Sequence, residues 1–148
     1  MTLTTPKRAQ TGTKRLLRKD PEAKLPKKFV ERIHECTLGG TDGTTRSNCI
    51  GTALFITGET NTDKLIFTYA APSYLKELVK IAKPVVGCLV TWECGRSVEH
   101  MAVVVKLKPL LIADRFGAHG PFRNNVGFDE IDISAYKQRY YLPKALQR

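Results

Sequence analysis

Long apolar runs are missing from this chain of 148 residues. Between Met1 and Leu25 the longest apolar stretch is the pair Leu16-Leu17, too short for the hydrophobic core of a secretory leader. No later segment approaches the roughly 20 apolar residues that span a bilayer. The expectation is therefore a soluble protein that starts in the cytoplasm, with export by a non-classical route as the alternative, and without a transmembrane segment. Internal repeats are missing as well. Cysteine is sparse, and Cys36, Cys49, Cys88 and Cys94 in a leaderless chain are expected to be free thiols. No two of them have the two-residue step of a zinc knuckle. A set drawn from Cys36, Cys88, Cys94 and His100 has no recognised ligand spacing, so neither metal nor other cofactor is expected.

Acidic residues are scarce at one end. Residues 1–28 carry nine Lys and Arg against only Asp20 and Glu22, while the other 120 residues hold fifteen against twelve. Most of the net charge of +10 therefore belongs to the leader and not to the body. With few large apolar side chains, residues 1–25 read as a flexible basic tail and residues 26–148 as one domain. The tail has no aromatic side chain to stack on bases, which favours a solvated leader over specific recognition. Weak salt-dependent contact with a polyanion is the alternative.

From Pro26 onward, Phe29, Val30, Ile33 and Cys36 recur at helical steps, and Gly39-Gly40 ends that helix. A polar loop over 41–47 leads to Asn48, a good N-cap, so a second helix is expected to carry Ile50, Ala53, Leu54 and Phe55 up to Gly58. Residues 63–70 are ambiguous between strand and loop. Pro72 opens a third helix with a stripe of Tyr74, Leu75, Leu78, Val79 and Ala82, closed by Pro84. Short strands are then predicted over 85–92, 98–106, 110–114, 128–133 and 136–142. Helices followed by sequential strands indicate an α+β domain with a largely antiparallel sheet of about five strands.

Cys49 is the residue on which chemistry converges. At a helix start its sulfur sits near the positive end of the macrodipole, and the first N–H groups there are placed to hold an oxyanion. Gly51 omits a side chain one turn in, so another backbone can come close. His100 lies on an apolar strand after a turn and shares a face with Ala102 and Val104, which suits a general base. Asp114, ending the Leu110–Ala113 strand, is the first choice to orient it, with His119 and Glu99 as alternatives. The polar stretch 114–125 is read mainly as a turn. Arg115 or Arg123 gripping a substrate carboxylate is the other reading. Tyr136, Tyr140 and Tyr141 suggest an edge strand, and Trp92 belongs in the core.

The stretch from Leu38-Gly39-Gly40-Thr41 to Asn48-Cys49-Ile50-Gly51 resembles the nucleophile motif of NlpC-type, papain-like cysteine peptidases: a glycine pair, a polar loop, then a cysteine opening a helix. Val86-Gly87-Cys88-Leu89-Val90-Thr91-Trp92 is similar to the family's Gly-Asp-Leu-Val strand. Val98 to Val104 resembles its histidine strand, and Leu111 to Asp114 stands where its third polar residue is expected. The likeness runs from about Phe29 to the end. It departs from the family pattern at Asn48, Ile50 and Cys88, and the family's tyrosine has no counterpart near Cys36 and Leu38. The resemblance implies a papain-like fold and a thiol hydrolase that cleaves an amide or peptide bond through a Cys49–His100 acyl-enzyme mechanism. It also implies bacterial cell-wall stem peptides (peptidoglycan) as the substrate class. An inactive papain-like body used for polyanion binding or as a structural partner is the alternative.

Overall fold

The computed structural model describes residues 24–39, 47–116, 120–127 and 136–147. Nearly all of the basic tail, the expected strand over 128–133 and His119 lie outside them. Helix α1 (Lys27–Gly39) starts just after Pro26, whose carbonyl accepts the N–H groups of Phe29 (3.0 Å) and Val30 (3.2 Å). Helix α2 (Cys49–Ile56) is capped by Asn48, whose side chain accepts the Gly51 N–H at 2.9 Å. It ends in a Schellman turn. The Gly58 N–H bonds the Phe55 carbonyl and the Glu59 N–H bonds that of Leu54, with Gly58 at φ +85°. Helix α3 (Ala71–Leu75) is short, with Pro72 in its first turn.

Six strands follow: β1 (Val79–Ile81), β2 (Leu89–Cys94), β3 (Ser97–Lys106), β4 (Leu111–Arg115), β5 (Phe122–Gly127) and β6 (Lys137–Leu142). They form one antiparallel sheet in the order β1-β6-β2-β3-β4-β5. The chain is thus α+β, with six strands where about five were expected. No helix among the described residues is long and apolar enough to cross a membrane.

Three expectations need correction. The third helix does not continue to Ala82 but stops at Leu75, and Val79–Ile81 pairs with Tyr140–Leu142 instead. β-branched Val79 and Ile81 gain a ladder partner that a solvent-bounded helical turn lacks. As a result β6 is an interior strand between β1 and β2 and not an edge. Finally, residues 122–125, read as part of a turn, belong to β5, which is registered on β4 by the Asp114↔Arg123 and Arg115↔Phe122 pairs.

All eight residues of α2 are buried, as expected for a helix that is apolar on every side. It packs on β3 and β4, and α1 lies against it. Arg32 of α1 fastens the C-terminal end of α2. It donates to the carbonyls of Phe55 (2.5 Å) and Thr60 (2.9 Å), with its guanidinium 4.6 Å from the Phe55 ring centroid. At the other end, Lys64 runs directly over Gly51, where an added Cβ would overlap the Lys64 carbonyl. The close approach expected at Gly51 is therefore present. Gly51→Ala must displace the backbone on one side or the other, and should destabilise the fold by about 3 kcal/mol. Chemical denaturation measures this. An unchanged midpoint would mean that the two segments do not pack so closely.

Candidate functional site

Cys49 is the first residue of α2, and Asn48 fixes its position from two sides. Besides capping the helix, the Asn48 side chain accepts the Ile66 N–H (3.2 Å) and donates to the Ile66 carbonyl (2.7 Å). The amide thus joins the start of the helix to the loop that crosses Gly51. Since the Gly51 N–H is held by the cap and the Thr52 N–H by the Asn48 carbonyl, Cys49 and Ile50 carry the first-turn N–H groups that precede intrahelical bonding.

His100 stands on β3 opposite Trp92 of β2, with the two ring centroids 5.2 Å apart at 53°. Trp92 is fully buried, as expected, and forms a wall for the imidazole. The ring bonds in two directions. Nε2–H donates to Asp114 Oδ2 at 2.8 Å, and the ring makes a side-chain hydrogen bond with Cys49. A carboxylate only accepts, so Nε2 carries a proton and Nδ1 is the nitrogen left for the thiol. The structure therefore brings Cys49, His100 and Asp114 together in one line of contacts, from a helix start and two neighbouring strands. Glu99 does not join them. It is exposed and accepts the Ser97 hydroxyl at 2.5 Å, since alternation along β3 turns it away from His100.

Asp114 has no exposed surface and is held from both sides. Arg123 grips it in a two-pronged pair, Nε to Oδ1 at 3.0 Å and Nη2 to Oδ2 at 2.8 Å, from the facing position on β5. Arg123 also lies over the Phe116 ring, at 5.0 Å. Burial alone would raise the Asp114 pKa. The hydrogen bonds and charges of His100 and Arg123 outweigh it and hold the carboxyl below its usual range. For His100, burial opposes the charged form, but the bonds to Asp114 and Cys49 outweigh it and raise the imidazole to about 9.

No protein-family model, curated protein or solved structure matches this chain.

A second polar cluster adjoins the first. Asp63 Oδ1 accepts the hydroxyls of Thr52 (2.8 Å) and Ser47, and its Oδ2 accepts Arg115 Nη2 (2.9 Å). Arg115 also donates to Thr52 Oγ1 (2.8 Å) and to the Gly120 carbonyl (3.0 Å). This cluster ties α2, the 63–66 loop and β4 together one turn beyond Cys49. Both guanidinium groups considered for a substrate carboxylate, Arg115 and Arg123, are committed to partners inside the fold. Sequence order did not mark Thr52 or Asp63, and it read Arg123 as a grip for a substrate carboxylate and not as the partner of Asp114. A possible signal was the alternation of Asp114 and Arg123 across a hairpin, an opposite-charge pair of the kind that sets strand register.

The other thiols have different surroundings. Burial and the Asp63 carboxylate push Cys36 up to about 12, and burial does the same to Cys88. Cys94 is exposed at the end of β2. Among the described residues, no group of three or more His, Cys, Asp or Glu side chains is placed to hold a metal ion. Cys49 and His100 are each 6% exposed, so any reacting carbonyl must enter along a narrow approach.

Proposed function

We propose that the protein is a thiol hydrolase of papain-like, NlpC-type architecture that cleaves an amide or peptide bond through an acyl-enzyme. One observation carries this reading: a cysteine at a helix N-terminus contacts an imidazole whose far nitrogen is held at 2.8 Å by a fully buried carboxylate. A nucleophile, its base and an orienting acid in series are what covalent acyl transfer requires. The order of elements supports the architecture, since the nucleophile helix precedes and packs on the strands that bear the other two residues.

The steps follow from the contacts. His100 enters the reaction charged, carrying on Nδ1 the proton given up by the Cys49 thiol, and Asp114 holds the imidazolium. The Cys49 thiolate attacks the substrate carbonyl, with the macrodipole of α2 favouring the anion. The Cys49 and Ile50 N–H groups face the developing oxyanion. His100 then protonates the leaving amine, a Cys49 thioester remains, and a water activated by the same imidazole releases the acid and restores the thiol. Arg123 acts through Asp114 as a positioning residue, keeping the carboxylate aimed at Nε2. Stem peptides of the bacterial cell wall are the substrate class suggested by the sequence resemblance. The polyanion-binding alternative rests on the basic tail, which lies almost wholly outside the described residues.

The test is to incubate the full-length protein with a peptidyl acylating probe and map the adduct by mass spectrometry. One acyl group on Cys49, lost on denaturation before labelling, is the expected result. Modification of Cys94 alone, or equal modification of the denatured chain, would remove the proposal. Cys36 and Cys88 are poor competitors because their thiols stay protonated at neutral pH.

A further inference from the structure

A groove of about 550 Å³ opens beside the proposed site, and none of its lining residues is Cys49, His100 or Asp114. It is nevertheless connected to them. In the β2–β3 ladder, a bulge separates the Trp92↔His100 pair from the Glu93↔Val98 pair, and both Glu93 and Val98 line the groove. Beyond β3, the Val98 N–H donates to the Thr68 carbonyl at 3.3 Å, two residues from the Ile66 backbone that Asn48 holds. One short segment therefore borders both the helix cap at the nucleophile and the groove.

The charge of the groove is one-sided. Lys76, Lys80 and Arg96 all line it, all are exposed, and none forms an ion pair among the described residues. The one acidic side chain, Glu93, is already satisfied. It accepts Thr91 Oγ1 (2.6 Å) and Tyr141 OH (2.8 Å) and pairs with Arg139 Nη1 (3.4 Å). Three cations without an ion-pair partner among the described residues therefore share the groove with a carboxylate whose charge Arg139 balances. Next to them, Tyr69 lines the groove and stacks on Phe67, rings parallel within 3° and 5.4 Å apart. Both rings are largely exposed, at 74% and 58%, and offer an apolar ledge at the groove.

We propose that this groove is a substrate subsite for an acidic peptide segment, which places carboxylates against Lys76, Lys80 and Arg96 and an apolar side chain on Tyr69. This rests on the hydrolase reading for its role, since the groove would then choose which peptide presents its carbonyl to Cys49. A peptide is chosen over a nucleic acid because the hydrolase reading calls for an amide-bearing chain whose carbonyl reaches Cys49.

The test uses the full chain with Cys49→Ala, so that nothing is turned over, and a fluorescein-labelled peptide rich in glutamate. Anisotropy is compared with that of the same peptide carrying glutamine. The combined variant Lys76→Glu, Lys80→Glu, Arg96→Glu should weaken the acidic peptide by about tenfold or more while leaving the glutamine peptide nearly unchanged. The basic tail is common to both proteins, so their difference reports the groove. Lys80→Glu alone, at an exposed position of β1, should give a smaller loss in the same direction, and it serves as the readout should the triple variant not fold. Equal binding by variant and parent, or no preference for glutamate over glutamine, overturns the subsite. So does an oligothymidylate that binds the groove more tightly than the peptide. Acylation of Cys49 by a small neutral probe is measured in parallel on the groove variants with Cys49 intact. If that labelling is absent while charge-dependent peptide binding persists, the hydrolase reading fails and the groove stands. If labelling is present without charge discrimination, only the groove fails.

Discussion

Cys49→Ala should take amide hydrolysis down by on the order of 10⁴-fold or more, to whatever the oxyanion donors and substrate binding supply by themselves. Neither buried thiol can substitute. Cys36 and Cys88 are buried with their acidities pushed to about 12, and neither contacts His100. The fold should survive, because alanine removes one sulfur from a helix whose cap is made by Asn48 and not by the cysteine. Circular dichroism and a thermal melt establish that the variant is folded, and a fluorogenic peptide amide measures the rate. A folded Cys49→Ala protein that retained more than a few per cent of activity would mean that the sulfur is not the nucleophile.

Asp114→Asn should produce the second large effect, and it should alter the shape of the pH profile as well as its height. In the parent, His100 is raised to about 9, so the imidazolium needed to protonate the leaving group persists through neutral pH, and kcat/KM should decline through an alkaline limb near that value. Asparagine keeps the shape of the side chain but loses the charge. The limb should move toward the ordinary histidine value of about 6.5, with kcat down by roughly 10²–10⁴-fold. The effect on stability has a definite sign. A histidine whose folded-state pKa is raised contributes stability that is fully present below its ordinary value and is lost as pH rises through about 9. The asparagine variant should therefore show a flatter dependence of melting temperature on pH across that window. Arg123→Gln provides the opposing case. Without the guanidinium, Asp114 gives its whole charge to His100, so the limb should move to higher pH even as kcat falls through looser positioning. If both variants leave the limb where it was, Asp114 does not act through the imidazole.

The first two helices, and the elements that carry Cys49, His100 and Asp114, were legible in the sequence because their signals are local. Asn48 before an apolar segment marks an N-cap, Gly58 marks the left-handed residue of a helix exit, and Cys49 is conspicuous because it stands between that cap and the apolar segment. His100 and Asp114 could be ordered along strands, and the antiparallel ladder then placed their strands side by side. β1 and β5 were hidden for different reasons. Tyr74, Leu75, Leu78, Val79 and Ala82 have helical spacing, and nothing nearby reveals that Val79–Ile81 pairs with a strand some sixty residues later. β5 contains Arg123-Asn124-Asn125, poor strand formers whose pairing depends on the Arg123 grip on Asp114. The Asp63 cluster was equally silent. Ser47, Thr52, Asp63 and Arg115 are unremarkable one by one, and only the approach of Lys64 to Gly51 makes them neighbours.

The complete enclosure of α2 has a bearing on how this molecule can change. Each of its eight positions answers to interior neighbours, so the segment bearing the sulfur has no outward side on which mutation is cheap. Substitutions that spare the fold must then fall around it, at exposed positions such as the β2–β3 turn and the stretch around Tyr69.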